Sequence, residues 1–304
     1  MSKHVVLGGN GVVGKQTVSA LADRGVTVVS VNRQLHEIPN GEAVQADLKD
    51  LDSAVRAIEG AEVAYLVLGL PYSLAVWRRE WPVIVDNVIE ACRIHDTHLV
   101  FLDNVYAYGQ VSGPMTEDTP IRPTSKKGQV RAKMLATFAA AQDSGLAVTV
   151  ARSADFYGPG ANTSVFNGMA MDAVAAGKAP TWLLNSSLPH SMTYTPDIGA
   201  ALALLGTDPR GRNGVWHVPT APALTGADYL AMTTGPGRTH KVMSKTVLRL
   251  GGLFVPAARE ALELSYQNTE PYLFDSTKFE STFGVSASGY REGIARTLQH
   301  AKER

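Results

Sequence analysis

The chain is poor in the features that mark several functional classes. It has one cysteine, Cys92, in 304 residues, so no internal disulfide can form. Cys92 falls in an apolar helical stretch from Val83 to Ile94, where a buried thiol is expected. That usage fits a reducing, cytoplasmic setting. Net charge is missing as well: 28 Lys and Arg balance 28 Asp and Glu, which offers no basic surplus to a nucleic acid or other polyanion. No apolar run approaches the roughly 20 residues of a membrane span, and no signal-peptide pattern precedes the first strand. The eight histidines show no metal-ligand spacing, and no G-x-S-x-G elbow is present. What remains, at 45% hydrophobic and 18% charged residues, is the composition of an ordinary globular protein. A small-molecule substrate is the partner to expect, with a monomer or homodimer, no nucleic acid and no membrane.

The informative segment is the beginning. Lys3-His4-Val5-Val6-Leu7 reads as a short buried strand and runs into Gly8, Gly11 and Gly14. A helix pattern follows to Arg24, then Gly25 and a second strand, Val26 to Val31. Glycine at these positions permits a tight turn and lets backbone N–H groups approach a pyrophosphate. The N–H groups of Asn10, Val12 and Val13 are in place to do so. The helix that starts near Val12 adds the positive end of its dipole.

Strands alternate with helices through the first half of the chain. Strands are predicted at Lys3–Leu7, Val26–Val31, Glu42–Gln45, Val63–Leu68, His98–Leu102 and Ala147–Ala151, with helices near 13–23, 51–58, 78–95 and 126–143. This order predicts an α/β fold with a doubly wound parallel, Rossmann-like sheet and the glycine bend at its carboxyl edge. Residues 1–158 are expected to form the nucleotide-binding domain, with returning segments at about 190–218. Residues 159–189 and 219–304 are expected to form a smaller C-terminal substrate-binding lobe.

The second strand ends Ser30-Val31-Asn32-Arg33, without the acidic residue that accepts from a ribose 2′-OH in NAD enzymes. A guanidinium there would grip a 2′-phosphate through charge-assisted bonds. NADP(H) is therefore the expected cofactor, held by Arg33 with Asn32 beside it, and NAD is the alternative.

The GxxGxxG spacing resembles the short-chain dehydrogenase/reductase superfamily, especially its extended and atypical branches, whose near relatives carry the label NAD-dependent epimerase/dehydratase. Further pieces follow in the family's order. Ala46-Asp47-Leu48 resembles the acidic segment near the adenine, and Gly69-Leu70-Pro71 the loop beneath the cofactor. Asn87 lies on a helix that often carries an Asn. Tyr108-Gly109 and Thr116-Glu117-Asp118-Thr119-Pro120 resemble the loop after strand five. Arg152 with Phe156-Tyr157-Gly158-Pro159-Gly160, and later Tyr194-Thr195-Pro196-Asp197-Ile198, complete the match. The resemblance implies cofactor contacts from these segments, including Ala154 and Phe156.

The family's catalytic Tyr-x-x-x-Lys is absent from the helix after strand five. Along the family's usual spacing, the Ser, Tyr and Lys positions fall at Asn104, Lys127 and Arg131. Lys127 and Arg131 lie four apart on one helix face. A lysine beside a second cation, partly desolvated, is expected to have a lowered pKa and to serve as an acid toward a developing alkoxide, with Asn104 donating to the same oxygen. Lys127 would then also touch the cofactor. Tyr106 and Tyr108 offer phenolic alternatives, and Asp103 a group to orient Lys127. The resemblance thus implies an NADP(H)-dependent oxidoreductase acting on a small carbonyl compound or activated alkene. Two alternatives stand beside it: a sugar-nucleotide-type epimerase/dehydratase, and a non-catalytic NADP(H)-binding sensor or scaffold.

Overall fold

The computed structural model describes residues 2–38, 41–235, 239–252, 259, 260 and 262–303. Six strands follow the expected order: β1 (Lys3–Leu7), β2 (Thr27–Asn32), β3 (Glu42–Gln45), β4 (Val63–Leu66), β5 (His98–Asp103) and β6 (Val148–Arg152). The interleaved helices are α1 (Val12–Ala22), α2 (Leu51–Ile58), α3 (Leu74–Ile94) and α4 (Lys126–Asp143). Beyond them lie the short strands β7 (Asp155–Tyr157), β8 (Thr181–Leu183), β9 (Pro189–His190) and β10 (Met192–Tyr194), and the helices α5 (Asp172–Ala175) and α6 (Thr195–Thr207). Then come β11 (Gly214–His217), β12 (Leu224–Thr225), α7 (Gly226–Thr234) and β13 (Lys241–Met243).

The main sheet has seven parallel strands in the order β11-β6-β5-β4-β1-β2-β3. Its central strands are buried on both faces, as their unbroken Val and Leu runs require. One face packs α2, α3 and α4 over Val5, Leu7, Ile84, Phe101 and Phe138, and the other packs α1 and α6 over Val6, Leu21, Val100 and Leu202. Each such side chain contributes about 1.5–3 kcal/mol on burial. Strand order reverses between β1 and β4. Successive crossovers diverge there, and a crevice opens at the carboxyl edge of the sheet.

Helix α3 starts at Leu74, a turn earlier than the sequence pattern suggests. Trp77 and Trp81 are both buried, so the apolar stripe continues one turn further, and Trp77 Nε1 donates to the Pro71 carbonyl at 3.0 Å. Strand β4 ends two residues short of expectation, where Leu68 packs against the glycine bend. The short strands pair with one another, β7 with β10, β8 with β13 and β9 with β12, and His190 of β9 also bridges Tyr272. They are held by an aromatic cluster of Tyr157, Phe166, Trp182, Tyr194, Tyr229 and Tyr290. Among the described residues no helix is long and apolar enough to cross a membrane.

A buried polar chain closes the ends of β5 and β6. Arg152 donates to Asp103 at 3.1 Å and to the Tyr108 hydroxyl at 2.6 Å. Tyr108 lies 2.7 Å from His217 Nε2, and His217 Nδ1 donates to the Asp275 carbonyl at 2.7 Å. Replacing Asp103 by Ala leaves two guanidiniums, Arg152 and Arg131, without their carboxylate. Denaturant unfolding is expected to show a loss of about 3–5 kcal/mol.

Burial also holds three histidines below their ordinary value, His4 and His98 at about 4 and His217 at about 3. The unfolded chain takes up these protons first. Their contribution to stability is therefore complete above the ordinary histidine value of about 6.5 and lost as pH falls toward 4. A stability profile measured by denaturant should decline through that window; a flat profile would contradict the neutral, buried state.

Candidate functional site

The glycine bend is built by close backbone contact. Gly8 has φ +95° and donates to the Val31 carbonyl at 2.8 Å; a Cβ on it would stand 2.6 Å from Leu68 Cα. A Cβ on Gly14 would stand 2.1 Å from the Gly8 carbonyl oxygen. The fold itself thus requires these two glycines. Gly11 is different. It is exposed, with φ −70°, and a Cβ there would meet only the Gly8 oxygen, at 3.1 Å. Gly11 leaves an open cradle at the start of α1, a helix with no side-chain cap and no acidic residue in its first turn. Val12 and Val13 follow in that first turn, their N–H groups among those a helix start leaves without intrahelical partners. A diphosphate fits this set of donors.

Asn32 belongs to the bend rather than to a ribose: its Oδ1 accepts from Asn10 N–H at 2.9 Å, and its Nδ2 donates to Ser30 Oγ at 3.0 Å. These bonds use its amide to fix the loop. Arg33 is exposed, and no ion pair engages its guanidinium among the described residues. After β3, Asp47 Oδ1 accepts from Lys49 N–H at 3.0 Å, and Asn87 Nδ2 donates to the Leu48 carbonyl at 3.0 Å. Asn87 therefore holds the loop after β3 from behind. After β4, Gly69 has open space around it, and Leu70 packs into the core.

The catalytic positions are arranged otherwise than the helix spacing suggests. Lys127 is fully buried, with its ammonium paired to Glu260 and Glu263 and 4.5 Å from the Tyr72 ring centre. Glu263 Oε1 also accepts from the N–H groups of Lys126 and Lys127 at the start of α4. Arg131 turns inward instead. It lies 3.6 Å from Asp103 and over the rings of Trp77 and Trp81, at 4.9 and 4.7 Å. The two cations do not act on each other as a pair, because each has its own acidic partner. Asp103, offered by the sequence as an orienter of Lys127, pairs with Arg131 and Arg152.

Asn104 Oδ1 accepts from Tyr106 N–H at 3.0 Å, just ahead of the short turn at Tyr106–Tyr108. Tyr106 stacks on Trp77 and hydrogen-bonds Tyr72; burial pushes both phenols up. Tyr108 is buried in the Arg152–His217 chain, with its hydroxyl fully engaged, so it is a packing group and not a phenolic acid of the cleft. Ala154 donates its N–H to Thr193 Oγ1 at 3.2 Å, and Phe156 packs toward the sheet.

Sequence reasoning missed two features here. One is Glu260 with Glu263, three residues apart, on Lys127. The other is Asp155, between the two singled-out residues Ala154 and Phe156, with His190 Nε2 at 3.0 Å from its Oδ2. Among the described residues no His, Cys, Asp or Glu cluster is arranged to hold a metal.

Gly11 and Gly14 provide a paired test. Gly14→Val should destabilise the fold through the Gly8 contact. Gly11→Val should unfold like the wild type yet fail to take up nicotinamide nucleotide in calorimetry. Tight binding by Gly11→Val would refute the cradle.

Comparison with known proteins comes to the same fold. MoeE5, solved with UDP-glucose and NAD, is 21% identical over 99% of each chain, with a TM-score of 0.79. UDP-glucose 4-epimerase of Thermus thermophilus, solved with NAD, is 20% identical over 99% of each chain, with a TM-score of 0.78. The dTDP-glucose 4,6-dehydratase of Bacillus anthracis, solved with NAD, is 15% identical over 100% of this chain and 97% of that one, with a TM-score of 0.79. No curated protein matches the chain by sequence. The family model described as NAD dependent epimerase/dehydratase matches residues 4–210, about two thirds of the chain, which therefore belongs to that family as an epimerase/dehydratase-like enzyme.

Proposed function

We propose that the chain is a nicotinamide-dinucleotide-dependent enzyme of the epimerase/dehydratase type, acting at a hydroxyl- or carbonyl-bearing carbon of a small organic substrate. The observation that carries the reading is Gly11: the glycine bend keeps a cradle that its own packing does not need. The bound dinucleotide supplies a hydride acceptor or donor. The N–H groups of Val12 and Val13 at the start of α1 hold the diphosphate; that of Asn10, expected to join them, is donated to Asn32 Oδ1 instead. Asp47 and Leu48 border the adenine end, Gly69, Leu70 and Pro71 lie beneath, and Ala154 and Phe156 border the nicotinamide end. Arg33 favours NADP(H) over NAD(H), because an exposed guanidinium attracts a 2′-phosphate and no carboxylate ends β2 to repel it.

Sugar nucleotides are named for the structural relatives, and the family supports a substrate of that kind. A second reading, reduction of a small carbonyl compound or activated alkene, is favoured by one observation. Lys127, at the position where the family carries its tyrosine, is paired with both Glu260 and Glu263, and the net negative charge of that cluster disfavours a second diphosphate beside it. Incubation with UDP-glucose, and NADPH or NADH oxidation against a panel of aldehydes, ketones and enones, separates the two. Lack of turnover in every arm, with nucleotide bound, would contradict enzymatic function and favour a sensor.

Arg33→Ala should weaken NADP(H) binding by about 1.5–3 kcal/mol, the worth of a lost charge-assisted bond, and leave NAD(H) nearly unchanged. Equal losses for both cofactors in calorimetry would remove Arg33 from the 2′-phosphate.

A further inference from the structure

We propose that Asp155, positioned by His190, is the group that exchanges a proton with the substrate oxygen in place of the absent tyrosine; the inference rests on the nicotinamide-dependent reading above. Asp155 opens β7, directly beyond β6, on the same sheet edge as Tyr72 after β4 and Tyr106 after β5. Side chains alternate along a strand, so Asp155 points away from the side taken by Ala154 and Phe156. It faces the smaller lobe, where its Oδ2 accepts from His190 Nε2 at 3.0 Å and its backbone N–H donates to the Tyr272 hydroxyl at 3.2 Å. The Asp155 side chain is 39% exposed while that of His190 is 7% exposed. The carboxylate is therefore the member of the pair open to a ligand, and the imidazole sits behind it. Oδ1 has no protein partner among the described residues. His190 is itself held, stacked on Tyr272 at 4.4 Å and edge-on to Trp182 at 5.8 Å.

The other candidates on this edge are unsuited to the task. Lys127 is sealed under Glu260 and Glu263. The four phenols whose titration responds to Asp155 are all driven the wrong way for a base. Burial, reinforced by the negative charge of Asp155, raises Tyr72, Tyr106 and Tyr272 and pushes Tyr266 up to about 12. They remain neutral, and Asp155 is left as the base.

In the oxidative direction the substrate O–H bond breaks and an O–H bond forms on Asp155 Oδ1. The electron pair left on oxygen becomes the second carbon–oxygen bond as the carbon's hydride leaves for an oxidised nicotinamide dinucleotide. The reverse step returns the proton from the Asp155 carboxyl to the alkoxide as it forms. His190 is a positioning residue: by donating to Oδ2 it keeps Oδ1 turned toward the cleft.

The experiment compares the whole protein with Asp155→Asn, Asp155→Ala and His190→Phe, the last of which keeps the ring stack on Tyr272. Calorimetry with NADP and NAD gives cofactor affinity. Turnover is followed with UDP-glucose and with the carbonyl panel. Asp155→Asn is expected to lower kcat by about 10²- to 10⁴-fold, the usual weight of a general acid or base, with nucleotide affinity unchanged. Added formate should restore part of the rate to Asp155→Ala and none to His190→Phe, whose kcat falls at constant KM. Asp155→Asn turning over at the wild-type rate, Asp155→Ala failing to respond to formate, or nucleotide affinity falling in step with kcat would each overturn the inference alone. Wild-type protein that takes up neither nucleotide would overturn the functional reading and this inference with it.

Discussion

Everything in this architecture hangs on one close backbone contact. Gly14 lies against the Gly8 carbonyl, and Gly8 against Leu68, at separations no side chain tolerates. That contact draws the start of α1 onto the end of β1, beside the point where strand order reverses. It leaves Gly11 outermost with space before it, the space in which the proposed diphosphate would sit. The same bend is tied to β2 through Asn32, whose Oδ1 accepts from Asn10 N–H. A pre-organised cradle loses little freedom on binding.

The other end of the cleft is governed by charge burial. Among the described residues the buried ionic groups that meet there are paired: Lys127 with Glu260 and Glu263, Arg131 and Arg152 with Asp103. Removing such groups from water costs several kcal/mol per ion unless they are paired. This constraint explains why Lys127 does not present its ammonium to the cleft, and why Arg131 lies on tryptophan rings instead of reaching a ribose. Asp155 differs: its Oδ2 accepts from His190, and its Oδ1 has no protein partner among the described residues, which is the opening on which the proposed proton exchange rests.

Local signals carried much of the fold. Strands buried on both faces announce themselves as unbroken apolar runs, and β1 through β6 fall within two residues of the pattern. The bend was legible because its glycines, strand and helix are contiguous. Reading failed where partners are remote in the chain. Glu260 and Glu263 meet Lys127 across 133 and 136 positions. Tyr108 finds His217 across 109 positions, and that contact converts a candidate acid into a strut. His190 and Asp155 are only 35 apart, but both sit in two- or three-residue strands too short to show a period. Helix α3 begins early, after Ser73 at its N-cap, because two buried tryptophans extend its apolar stripe by a turn.

The most direct test of the central claim is calorimetric titration of the unmodified protein with NADP and NAD, oxidised and reduced. The structure predicts uptake at a single site per chain for at least one of them, accompanied by a rise in Tm. Absence of both heat and stabilisation with all four nucleotides would contradict it.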